Sequence, residues 1–283
     1  MLVKLDGIKS AEEALEKSGL AWSVEQEPLI TGSGISVDTH KAVLRGDNSK
    51  IIGIVGSKYE PVQNTVAFAF FDVLAEKYGC SYEYAGIIKD GKKVFLQAKL
   101  GNSFEAAPGD QVDSYITMVN AHDGSASIHA FLTPIRLFCQ NQLIRALKSA
   151  TTNIKFRHTP SVNDRFKEAM NVFNMSTEAF QLFEEKAKVL AQKLVDSQMV
   201  AKFLAEIVPE SGSTRSNNQR EKIEHLFESG RGNTGETAWH LYNAAVEYVD
   251  HERSRDAEKA LDSAMFGSGA ILKEKAFEAA MSL

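Results

Sequence analysis

Hydrophobic and polar positions change rhythm once along this chain, near residue 160. Before that point short segments with β-type composition dominate, separated by Gly, Asp and Asn. After it the apolar positions recur every three to four residues almost to the end. At the start, "SAEEALEKSGL" reads as a helix, with Ser10 as its cap, Glu13 at the capping-box position and Gly19 as its stop. "AWSVEQEPLIT" and "KAVLRGD" read as short strands, and "SKIIGIVGSKYEPVQ" as a longer one. Asn64 is placed to cap the aromatic-rich helix "TVAFAFFDVLAEKYG", which Gly79 ends.

Three further strands follow, "CSYEYAGIIK", "KKVFLQAKLG" and "DSYITMVNAHD", the first two joined at Asp90-Gly91, a strong hairpin signal. Asp123-Gly124 offers a second tight turn into "SASIHAFLT". Thr133-Pro134 then predicts a helix to about Ser149, with Pro at its first position, and "NIKFRHT" a short return strand. Beyond residue 160, "VNDRFKEAMNVFNMSTEAFQLFEEKAKVLAQKLVDSQMVAKFLAEIV" predicts helices. A polar linker near residues 209–222 follows, and then a final helical pair. The fold class expected is α+β: an antiparallel β-meander with helices on one face (residues 1–160), then a mostly helical region (161–283).

Composition changes this picture little. The 283 residues are 43% hydrophobic and 24% charged, enough for a substantial core without disulfides or a structural metal. No apolar run approaches the roughly 18 residues of a membrane span, and the N-terminus lacks a signal-peptide core. Cys80 and Cys139 are far apart with no Cys/His cluster, which predicts inert thiols, a reducing compartment and a cytoplasmic location.

Charge changes it more. The net charge is -5, and the acidic excess lies in residues 161–283. Residues 124–163 contain no Asp or Glu, yet carry Arg136, Arg145, Lys148, Lys155 and Arg157, with His129 and His158. On the predicted helix Asn141, Arg145 and Lys148 share a face, while Arg136 and Gln140 sit within or beside the apolar stripe, where a polar pair needs partners. The strip reads either as a sheet-facing helix whose Arg136 reaches a distant carboxylate, or as an anion-facing surface extended by Lys58, Tyr59, Lys92 and Lys93. Cations beside an aromatic ring suit single-stranded nucleic acid, although a hairpin tip also carries lysines for solubility.

Other motifs carry less. "GRGNTG" at residues 230–235 matches a dinucleotide fingerprint but follows a helix instead of a strand, and no phosphate-binding loop with G-K-[ST] occurs, so nucleotide cofactors are not expected. Asn243, Glu247 and His251 recur at helical spacing and would be the metal-binding face of a nuclease; a solvated polar face is the plainer reading. Trp239, Tyr242, Val246 and Val249 form that helix's core stripe. No enzyme signature is present.

"GSKYEPVQNTVAFAFFDVLAEKYG", "PIRLFCQNQL" and "NTGETAWHLYNAAVEYVDH", in this order, resemble the phage/plasmid-like protein family known as domain of unknown function 932. That resemblance implies a mobile-element context. The element order over residues 50–150 is also similar to the core of single-strand annealing proteins of the RecT, Redβ and Erf class. It implies rings or filaments that bind single-stranded DNA along a basic groove without ATP. The expectation is thus a cytoplasmic, oligomeric single-stranded-DNA-binding and annealing protein with no cofactor or membrane partner, open to contact with a host recombination or defence protein. The alternative is an oligomeric scaffold or anti-defence factor that binds protein only.

Overall fold

A computed structural model describes residues 2–125, 128–136, 141–142, 153–155 and 162–283. The chain forms two compact units built from interleaved segments. One comprises Met1–Gly101, Ile116–Phe131 and Asn153–Met175, the other Asn102–Tyr115, Leu132–Thr152 and Ser176–Leu283.

In the first unit, β1 (Leu2–Lys4) precedes α1 (Ala11–Ser18). The Ser10 side chain accepts the Glu13 amide, Gly19 closes the helix in the left-handed region, and the Glu13 carboxylate accepts the Lys9 amide. Strands β2 (Val24–Ile30), β3 (Ser36–Arg45) and β4 (Ile51–Gly56) make a three-stranded antiparallel sheet in that order. Two short helices follow, α2 (Asn64–Phe68) and α3 (Phe70–Tyr78), the second closed by left-handed Gly79. The main antiparallel sheet contains β5 (Ser81–Ile88), β6 (Lys93–Ala107), β7 (Asp110–Ala121), β8 (His129–Arg136), β9 (Asn141–Gln142) and β10 (Asn153–Lys155). Its strand order is β1-β5-β6-β7-β8-β10, with β9 also on β8. The core of this unit packs Trp22, Phe68, Phe71, Leu74, Tyr82, Leu96 and Ile116.

The predicted helix from Pro134 is overturned where it is described: Pro134 to Arg136 finish β8, and Asn141 and Gln142 are β9. Residues 128–135 are buried apart from His129, so no alternation marks the strand, and a short apolar run is ambiguous between helix and strand. On the edge shared with β9 and β10, Pro134 falls between the two ladders, the β10 pairs ending at Phe131 and the β9 pairs beginning at Ile135.

The second unit is mostly helical. Helix α4 (Val162–Gln192) begins in the first unit and enters this one at Ser176. It is followed by α5 (Ser197–Ile207), capped by Asp196, and α6 (Thr214–Ser229), capped by Ser213. The polar linker expected over residues 209–222 is therefore only the stretch before Ser213. Buried Ile223 and Phe227 hold α6 down, and Arg220 ties it to the Val208 carbonyl (2.8 Å) and Glu210 (2.9 Å). Helix α7 (Ala238–Glu247) runs into a π-helical turn, Tyr248–Glu252, then α8 (Ala257–Phe266) and α9 (Ser268–Ser282). Trp239, Tyr242, Val246 and Val249 are buried as the periodicity predicts. They pack with Phe183 and Phe277, and Trp239 donates to the Asp110 carboxylate at 2.8 Å. Lys273, fully buried, ion-pairs with Asp250; burial holds its ammonium below the usual lysine range although Asp250 opposes this.

Candidate nucleic-acid interface

The residues around Tyr59 and His122, all in the first unit, form a polar cluster between the end of β7 and the start of α2. After β4 the chain turns, with the Tyr59 amide on the Gly56 carbonyl (2.9 Å), which leaves Lys58 exposed and Tyr59 half-buried. The Tyr59 hydroxyl donates to the Ala121 carbonyl (3.2 Å), and its ring packs against the core. Burial, with Asp123 adding to it, raises its hydroxyl above the usual tyrosine range. Gln63 pairs with both backbone groups of Val24, at 2.8 and 2.9 Å, and so continues the edge of β2 with a side chain.

Asn64 corrects the sequence reading. It is the first residue of α2, not its cap, and its side chain points into the core. Its amide nitrogen donates to the Leu20 carbonyl at 3.0 Å. Its oxygen therefore accepts, from Asn120 at 3.2 Å and from His122 Nε2 at 3.0 Å. This arrangement protonates Nε2 of His122 and leaves Nδ1 unprotonated, with no hydrogen-bond partner among the described residues. Burial lowers the His122 pKa to about 4 against a weaker opposite pull from Asp123.

The β5–β6 hairpin tip meets the same end of β7: the His122 amide donates to the Lys92 carbonyl at 2.8 Å. The Asp90-Gly91 turn is present as a 3-10 turn, Lys89–Gly91, whose three residues all have positive φ. Gly91 is required there, because a Cβ would stand 2.9 Å from Arg45 and 3.2 Å from Trp22. Arg45 lies 4.6 Å over the Trp22 ring and grips Asp47 with two hydrogen bonds, 3.0 and 2.6 Å. Lys50 pairs with Asp90 at 2.7 Å. Hydrogen bonds from Arg45 and Lys50 hold the Asp47 and Asp90 carboxyls below the usual range. Lys92 is exposed and Lys93 half-buried.

The acid-free stretch is described in part. In the first unit Lys155 lies opposite His129 across the β8–β10 ladder. In the second unit Arg136 lies opposite Asn141 across β8–β9, neighbours on adjacent strands and not residues of one helix. Gln140, Arg145, Lys148 and Arg157 lie outside the described residues. Sequence reasoning missed Asn64, Asn120 and His122 as a set. The available signal was two polar residues, Asn120 and His122, at strand spacing at the end of a largely apolar run.

Asn243, Glu247 and His251 do not form a metal face. Asn243 is buried and donates to the Trp239 carbonyl at 2.8 Å. Glu247, also buried, accepts the Arg231 amide at 3.0 and 3.2 Å and so anchors the 230–235 loop, while His251 is exposed. That loop follows α6, a helix, so it lacks the strand a dinucleotide fingerprint requires. Among the described residues no three His, Cys, Asp or Glu gather as a metal site. Among them, too, no helix is long and apolar enough to cross a membrane.

No curated protein and no solved structure matches the chain. The model of the family described as domain of unknown function DUF932 matches residues 51–266. That span takes in α2 with its Asn64, the strand bearing Asn120 with His122 just beyond its end, and the helix bearing Trp239 and Glu247, so the chain belongs to the DUF932 family.

Proposed function

We propose that this protein binds single-stranded DNA and anneals complementary strands without ATP, as a cytoplasmic oligomer serving a phage or plasmid-type element. The observation that carries this reading is the fold of the acid-free stretch. Its two described ends return as adjacent antiparallel strands, Lys155 opposite His129, with no carboxylate on either strand. Cations on strands without carboxylates favour a phosphate backbone, the source of sequence-independent affinity. Lys58 and Lys92 extend this character at the hairpin end, where Arg45 and Lys50 already engage Asp47 and Asp90. The order β4, α2–α3 and then β5 to β8 supports the strand, helix and meander of the annealing resemblance; the long helix expected to close it within residues 50–150 is replaced, where the chain is described, by strand at Pro134–Arg136 and Asn141–Gln142. A free, buried Cys80, whose thiol burial raises to about 11, fits a reducing cytoplasm.

Fluorescence anisotropy with a labelled single-stranded oligonucleotide, titrated at several salt concentrations beside a duplex control, tests the proposal. Tight, single-strand-preferring binding is expected, with a steep salt dependence. Lys92→Glu with Lys155→Glu should weaken it and reduce the log–log slope by roughly 0.7 for each phosphate that is no longer neutralised. Binding that is absent at low salt, or that this double variant leaves unchanged, overturns the proposal. The protein-interaction alternative draws on a different observation, an exposed apolar hairpin in the first unit.

A further inference from the structure

The hairpin of β2 and β3 is exposed from Glu25 to His40, no residue in that span being fully buried. Among the described residues, the side-chain and turn hydrogen bonds of residues 29–38 stay within the hairpin, for example Thr31 to Ile35 at its tip. Two large apolar side chains flank this tip, Ile30 and Ile35, each 65% exposed. A two-stranded hairpin with no core of its own is marginal in water, and exposed apolar groups on one ask for a surface to cover them.

A matching surface lies on β4. The β3–β4 register pairs Leu44 with Ile51, Val43 with Gly53 and Ala42 with Ile54, so the extra residue, Ile52, is a bulge. That bulge puts Ile51 and Ile54 on one face of the sheet; they are 57% and 61% exposed. The charges around the two surfaces are complementary. Between Lys17 and Lys41 the chain has no Lys or Arg and carries Glu25, Glu27 and Asp38, all exposed. Between Asp47 and Glu60 it has no Asp or Glu, and β4 is bracketed by exposed Lys58 and by Lys50, whose ammonium pairs with Asp90. An acidic arm with an apolar tip is repelled by phosphates, which argues against nucleic acid as its occupant. It fits a surface of isoleucines framed by lysines, which every copy of this chain carries.

We propose that the β2–β3 hairpin is an assembly arm: Ile30 and Ile35 of one copy pack on the Ile51 and Ile54 face of a second copy. The contact joins two different surfaces, so each added copy leaves one arm and one face free, and the assembly grows into a filament or closes as a ring. This specifies the surface behind the oligomer in the proposed function. It is measured without nucleic acid, so its failure and failure of the DNA reading are separate results.

Sedimentation velocity over a concentration series tests it, on the wild-type chain and on two variants, Ile30→Thr/Ile35→Thr and Ile51→Thr/Ile54→Thr. Threonine keeps the β-branched preference for strands, and all four positions are exposed, so circular dichroism should match wild type. Wild type should assemble beyond a dimer as concentration rises. Each variant should need a concentration about 100-fold higher, the effect of withdrawing two buried isoleucines from an interface. An equimolar mixture of the two variants should stop at a heterodimer, joining the intact arm of one to the intact face of the other. A wild-type chain that stays monomeric, an arm variant that assembles like wild type, or a mixture that forms no heterodimer overturns the proposal.

Discussion

At the scale of single residues the most informative side chain is Asn64. As an exposed cap it would join one side chain to one amide; as a buried hub it joins Leu20, Asn120 and His122. The consequence reaches the pH dependence of stability. His122 has a folded pKa of about 4 against an ordinary value of 6.5, so between these values the unfolded chain binds the extra proton. Its contribution is complete above pH 6.5 and is lost as the pH falls through that window, amounting to about 3 kcal/mol by pH 4. Urea unfolding at a series of pH values should show a steeper loss for wild type than for His122→Gln. Parallel curves would mean that His122 is not buried in its neutral form. The sequence marks Asn64 as polar and at a helix start, which makes a cap the natural reading. Its inward direction depends on Asn120 and His122, more than 50 positions away, arriving at the same place.

At the scale of elements, the caps of α1 and the closure of α3 were legible because they depend on neighbours within one helical turn. The stretch from Pro134 was not. Its state is decided by strands that pair with it from elsewhere in the chain, and local preference yields to that pairing. Strand β4 gives an element-scale prediction with its own control. A Cβ on Gly53 would stand 2.7 Å from the Asp123 Cα and 2.8 Å from the His122 carbonyl oxygen, both backbone atoms with little room to move. A Cβ on Gly56 would meet nothing within 4 Å. Gly53→Ala should therefore cost about 2 kcal/mol in chemical denaturation, while Gly56→Ala stays within about 0.5 kcal/mol of wild type. Equal effects would show that β4 does not abut the end of β7 closely.

At the scale of the whole molecule, the chain passes repeatedly between its two units, through β6, β7, β8 and α4. Each unit has a separate hydrophobic core and one buried tryptophan, Trp22 in the first and Trp239 in the second. Continuous strands and a continuous helix mean that neither core can melt without disturbing elements that serve the other. In the single-tryptophan variants Trp22→Phe and Trp239→Phe, fluorescence and far-ultraviolet circular dichroism should therefore unfold at the same denaturant midpoint. Midpoints that separate would mean that the units unfold independently. The α+β class, the helix ends written in local caps, the aromatic stripe of α7, the family and the absence of acids over residues 124–163 were all legible in the amino-acid order alone. These are properties of composition or of residues within a turn of one another. Four features emerge only from the folded chain: Asn64 faces inward, Pro134 lies in a strand, Glu247 anchors a loop, and Lys155 stands opposite His129. Each depends on a partner distant in sequence, and pairing and burial set such partnerships only when the chain closes on itself.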